Sequence, residues 1–83
     1  MSYYFYILRC LDNSLYSGIT TDLKRRVREH NSSSSKGAKS LRAKKPVKLV
    51  YSEKHKDRNS ALVREAKVKK FSKSKKEELI KKV

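Results

Sequence analysis

The run YYFYILRCL at residues 3–11 constrains the fold more than any other part of the chain. Aromatic and β-branched residues crowd a stretch too short for a typical helix, so it reads as a strand. The turn formers Asp12, Asn13 and Ser14 follow at once, and Leu15–Thr20 resumes the strand character. Together they predict a β-hairpin. Gly18, inside the second strand, marks a bulge or a close approach by a ligand or another backbone.

Thr20, Thr21 or Asp22 can cap the helix that follows, which runs to about His30 and stops at Asn31. The stretch NSSSSKGAKSLRAKKP, residues 31–46, is polar, basic and without clear periodicity. Its length for so compact a chain predicts a functional loop or a mobile one. Val47–Glu53 reads as a third strand, and Asp57 or Asn59 as the cap of a helix over roughly 59–71. Ser74 and Glu77 match a capping box opening a last helix that ends at Lys81 and Lys82. The order β-β-α-loop-β-α-α predicts an α/β fold of the layered α+β kind, a small, mostly antiparallel sheet covered by helices. Eighty-three residues make one domain, 1–83, burying only about 60–65% of its unfolded surface.

The 23 Lys and Arg against 8 Asp and Glu give a net charge of +15. Such an excess repels itself unless a polyanion compensates it, and nucleic acid is the first candidate. A membrane partner is the weaker reading, because no segment approaches the roughly 20 apolar residues of a span. The single cysteine, Cys10, excludes an internal disulfide and a thiolate zinc site, and reads as core filler. Without a basic leader or a small-residue cleavage site, the N-terminus is no signal peptide. An intracellular, cytoplasmic protein is expected, with a monomer as the default state.

Helical rotation sorts the cations of LKRRVREH, residues 23–30. With Leu23 at zero, Val27 falls at about 40° and His30 at about −20°, defining the buried stripe. Arg26 lies on its flank at about −60°, whereas Lys24, Arg25 and Arg28 lie at about 100–200° and face water. For His30 the ordinary structural reading is a helix-terminal histidine against the negative end of the dipole. For Arg26 it is a snorkelling side chain. On the next helix Glu65 is flanked by Ala61, Leu62 and Val68, where a carboxylate is seldom left unpaired. It pairs with Lys69 at i,i+4 or holds a metal, and a lone carboxylate suits Mg²⁺, which keeps most of its waters. Tyr4, Tyr6, Tyr16 and Tyr51 sit on strands, where packing is the usual role. One of them becomes a base only if a cationic field from Arg26, a metal or the lysines lowers its pKa from about 10.

FYILRC, then LYSG with its tyrosine ten residues after Tyr6, then ITTDLKRRVREHN, resembles the GIY-YIG nuclease superfamily. GAKSLRAKKPVKLVYSE and SALVREAKVKKFSKSKKEEL resemble its small stand-alone, YhbQ-like members, so the likeness covers practically the whole chain. The resemblance implies a three-stranded antiparallel sheet flanked by helices, with the active site on one sheet face. It assigns the general base or water-activating relay to Tyr6 and the second motif to Tyr16 and Gly18. The phosphate-stabilising arginine falls on Arg26, the helix histidine on His30 and the metal-binding glutamate on Glu65. Here the first motif reads Phe-Tyr-Ile and the second Tyr-Ser-Gly, with both tyrosines in place.

These readings converge on an endonuclease that hydrolyses phosphodiester bonds in DNA with Mg²⁺ or Mn²⁺. Arg25, Lys36, Lys39, Arg42, Lys44 and Lys45, with Gly18, are the expected contacts to the nucleic-acid backbone. The alternative is a non-catalytic module binding DNA or structured RNA through the same basic face. A weaker one is a ribosome-associated or nucleoid protein acting through its lysines alone.

Overall fold

The computed structural model describes residues 2–32 and 44–82. Its elements are β1 (Tyr3–Arg9), β2 (Leu15–Thr20), α1 (Leu23–Asn31), β3 (Lys48–His55), α2 (Arg58–Lys69) and α3 (Lys73–Lys81). Lys36, Lys39 and Arg42, and most of the expected loop, lie outside the described residues. The strands form one antiparallel sheet, as the sequence pattern predicts, and their order in it is β2-β1-β3. Being central explains why β1 is apolar without interruption: both of its faces are covered. Phe5 and Ile7 pack with Val68 of α2 and with Phe71, Leu79 and Ile80 on one side. Tyr6, Leu8 and Cys10 pack with Val47, Tyr16, Leu23 and Val27 on the other.

Local chemistry fixes the connections. β1 ends at Arg9, short of the expected Leu11, because Cys10 already belongs to the turn, donating to the Ser14 carbonyl at 2.8 Å. Asp12 Oδ1 accepts from the backbone N–H and the hydroxyl of Ser14, at 3.0 and 2.6 Å, and Asn13 takes the left-handed conformation (φ 71°). An asparagine tolerates that region better than most side chains. The buried Thr20 hydroxyl holds the backbone of Asp22, whose carboxylate caps α1 at the N–H of Arg25, 3.0 Å away. Asp57 is the cap of α2. Ser72, not Ser74, caps α3, accepting from Lys75 N–H at 3.2 Å. Glu77 is drawn elsewhere, into a paired-oxygen bridge with Arg9 at 2.6 and 2.8 Å that ties α3 to β1.

The end of α1 is tied to the start of β3 by one side chain. Asn31 donates to the Val47 carbonyl at 3.1 Å and accepts from the Val47 N–H at 2.6 Å, completing a backbone-like pair. Because these groups are partly buried, removing the amide leaves both Val47 groups unsatisfied. Asn31→Ala is therefore expected to lower stability by about 2 kcal/mol, read from the urea midpoint at unchanged m-value.

Candidate active site

Tyr6 occupies the middle of β1, directly opposite Gly18 of β2. Its ring lies so close over that strand that a Cβ at Gly18 would stand 2.6 Å from the Tyr6 hydroxyl oxygen and 2.8 Å from Cζ. This corrects the expectation of a bulge at Gly18. The β1–β2 register is unbroken, and the neighbour that requires glycine is the tyrosine ring. Tyr6 is only 2% exposed, so its hydroxyl must find partners inside the protein.

Both partners come from α1. The Tyr6 hydroxyl lies 3.1 Å from Nε2 of the buried His30, and the Arg26 guanidinium also hydrogen-bonds it. A guanidinium only donates, so the phenol oxygen accepts from Arg26 and gives its own proton to His30 Nε2. That requires a neutral imidazole with its lone pair on Nε2. Burial and the neighbouring Arg26 charge both push His30 below its ordinary value of 6.5, against a smaller opposing pull from Glu29. Tyr16, from β2, meets the His30 ring edge-on at 5.4 Å between centroids.

The Tyr6 phenol does not meet the condition of a lowered pKa. Burial raises its pKa, and the hydrogen bond and charge of Arg26 offset that only in part. Tyr6 thus stays protonated at neutral pH.

Arg26 sits half-buried where rotation placed it, and Lys24, Arg25 and Arg28 are exposed. Its Nη1 bonds Glu29 Oε1 at 2.8 Å, a residue that sequence reasoning passed over. The available signal was spacing, an acid three residues after the flank arginine on the same helix. Glu65 lies on α2, whose Val68 packs on the other sheet face, and its charge is the smallest of the influences on the Tyr6 phenol. The carboxylate side chain is 18% exposed, with Lys69 Nζ at 3.8 Å as the i,i+4 pairing predicts.

Among the described residues no group of three or more His, Cys, Asp or Glu is placed to hold a metal ion. A loosely paired single carboxylate fits a cation such as Mg²⁺ that keeps its waters and takes substrate oxygens, and fits zinc poorly. Of the remaining basic candidates Arg25 shares Glu29 with Arg26, at 3.8 Å, whereas Lys44 pairs with Asp12 at 3.6 Å and Lys45 donates to the Ser32 carbonyl. Tyr51 and the second histidine, His55, belong to a separate network around Glu53 and Arg64.

A three-stranded antiparallel sheet carrying tyrosines on β1 and β2, with an arginine and a histidine on the next helix, defines a nuclease-superfamily domain. The chain belongs to the GIY-YIG catalytic domain family, whose model matches residues 2–78. Its relatives are small proteins of the same size class. It is 46% identical to a UPF0213 protein of Desulfotalea psychrophila over 96% of this chain and 72% of that one. With a UPF0213 protein of Bacillus velezensis it shares 43% identity over 95% and 78%. The solution structure of an Enterococcus faecalis protein ("E. faecalis" EF2693) superposes with a TM-score of 0.66 at 43% identity, covering 99% of this chain and 85% of that one. The UPF0213 protein BH0048 of Bacillus halodurans gives 0.62 at 42%, covering 98% and 84%. Among the described residues no helix is long and apolar enough to cross a membrane.

Two measurements test this geometry. Gly18→Ala forces the ring of a pinned, buried tyrosine to move, at an expected loss of about 1–3 kcal/mol, with the His30 ring resonances displaced in NMR spectra. The second concerns pH. His30 has a folded pKa below its unfolded one, so its contribution is full above about 6.5 and is lost as pH falls through the folded value. Denaturation midpoints should fall with acidification in that window, and the fall should be smaller in His30→Gln.

Proposed function

We propose that the protein is a metal-dependent endonuclease hydrolysing phosphodiester bonds in DNA. The observation that carries this is the Tyr6 hydroxyl, where Arg26 and His30 meet and on which the charge of Glu65 acts. Arg26 and Tyr16 are the half-exposed members of the cluster, and they are where a phosphate and a water can approach. A guanidinium with several donors can clamp the phosphate while keeping its bond to Tyr6. As water attacks phosphorus in line with the leaving oxygen and that P–O bond breaks, the water's proton passes to Tyr6, whose own proton moves to the neutral Nε2 of His30, and solvent protonates the departing oxygen. Tyr16 orients the imidazole edge-on, and Glu29 fixes the plane of Arg26 from behind. Glu65 would hold a divalent ion, Mg²⁺ or Mn²⁺, which supplies charge neutralisation at the phosphate when bound. Lysines and arginines on the surface hold the DNA backbone without base readout.

Two observations favour a second reading, a binding module for DNA or structured RNA that does not turn over: Glu65 already has Lys69 beside it, and Tyr6 is closed to solvent. A Mg²⁺-dependent cleavage assay on single-stranded, duplex, flap and junction DNA separates the two. Under the nuclease reading, Tyr6→Phe lowers cleavage by about 10²–10⁴-fold and Arg26→Lys by about 10²–10³-fold, and Glu65→Ala abolishes the metal dependence. Wild-type rates in contamination-controlled Glu65→Ala would falsify the metal assignment. Binding without cleavage on every substrate would establish the module. The rate should rise with pH along a limb set by His30, at a midpoint below 6.5 because its pKa is lowered.

A further inference from the structure

α1 has a second flank, away from Arg26, and β3 is open beneath it. The β1–β3 pairing shifts between Ile7 and Leu8, so that Ile7 faces Tyr51 and Leu8 faces Leu49, leaving Val50 as an extra residue. Val50 and Tyr51 both pack on the α2 side. Without that bulge, strand alternation would turn Leu49 to the α2 side as well. The extra residue re-aims it to the face that carries α1, beside Leu8, yet α1 does not cover it: Leu49 is 38% exposed. Ser52 and Lys54, which pair with Tyr6 and Tyr4 and so share that face, are exposed too.

The result is a groove of about 420 Å³ between α1 and β3, lined by Leu23, Val27 and Leu49 with Lys24 and Arg28 on its bank. The floor is aliphatic and the bank cationic. Such a pairing suits a ligand with a flat, apolar face joined to a negative charge. In a chain of net charge +15 the polyanion with that chemistry is a nucleic-acid strand with unpaired bases. A duplex would offer its phosphates to Lys24 and Arg28 but would leave the floor in water, since its base faces are stacked.

The geometry points to this groove as a binding site for an unpaired nucleotide, its base on Leu23, Val27 and Leu49 and its phosphate on Lys24 and Arg28. Resting on the proposed nuclease reading, the site defines the substrate class as nucleic acid that is single-stranded next to the scissile bond. The groove and Arg26 lie on opposite flanks of one helix, about 10–12 Å wide with its side chains. A strand crossing α1 can therefore place one nucleotide in the groove and a phosphate at Arg26.

The test is fluorescence anisotropy in EDTA, with a fluorescein-labelled oligothymidylate, the same strand annealed to its complement, and the same strand carrying abasic positions. Leu49→Thr, which puts a smaller, polar, β-branched side chain suited to an exposed strand position in place of the leucine, should weaken the single strand by about tenfold and leave the duplex unchanged. Lys24→Ala and Arg28→Ala should weaken both probes and each lower the salt slope by roughly one. In the unaltered protein the abasic strand should bind more weakly than the intact one. Equal losses on both probes, no loss on either, or full-strength binding of the abasic strand would overturn the site. So would sedimentation showing a wild-type dimer that Leu49→Thr dissociates, which gives the groove to a second copy. No cleavage takes place in EDTA, so a failure here leaves the Glu65→Ala test intact, and a failed cleavage assay leaves this result standing.

Discussion

A phenol hydroxyl at the centre of the sheet is the interaction on which the remaining structure depends. Burying such a group without partners costs several kcal/mol, and Tyr6 has almost no contact with solvent. Its two hydrogen-bond partners come from one helix, Arg26 and His30 being a turn apart on α1. The helix must therefore sit with one rotation and at one height over β1, and Leu23 and Val27 supply the packing that holds it so. Gly18 makes room on the neighbouring strand, and Asn31 fixes the far end of the helix to β3. Fold and candidate chemistry are thus coupled: satisfying the buried hydroxyl assembles the cluster.

The electrostatics divide in a similar way. Acidic residues are scarce, and the structure commits most of them internally. Asp22 and Asp57 cap helices, Asp12 shapes the hairpin turn, and Glu77 anchors α3 through Arg9. Glu53 gathers Arg64, His55 and Tyr51 on the α2 side, and Glu29 holds Arg26. Apart from the exposed Glu78, what remains outward is cation, in particular Lys24 and Arg28 on α1 and Lys54 on β3. Glu65 differs from the other acids: its partner is a mostly exposed lysine at 3.8 Å, a pairing that a bound cation can replace at little cost.

Much of this was legible in the residues, and the failures have physical causes. The rotation of α1 separated Arg26 and His30 from Lys24, Arg25 and Arg28 because one helical period and two apolar anchors, Leu23 and Val27, suffice to orient a helix. The alternation and turn chemistry of the hairpin were equally local. Glu29 was missed because its importance lies in what Arg26 touches, which is long-range. The start of α3 slipped by two residues because Ser72 and Ser74 are equivalent as sequence, and only the bridge from Glu77 to Arg9 decides between them. For Tyr6 the charge environment was foreseen, but whether it would outweigh burial was not legible. Desolvation is set by how completely the sheet and α1 close over the ring, and no count of nearby cations contains that quantity.

The bulge at Val50 shows how one inserted residue sets two surfaces at once. It lets both Val50 and Tyr51 fill the α2 side of the sheet, and by the same step returns Leu49 to the side of α1. A helix as short as α1, held by His30 and Arg26 over β1 and β2, cannot also cover β3. The side chain turned toward it is consequently left exposed between two cations. Tight registration of one flank over Tyr6 and openness of the other over Leu49 are two consequences of a single helix placement. A substitution that recentred α1 toward β3 would bury Leu49 and break the hydrogen bonds to Tyr6 in the same movement.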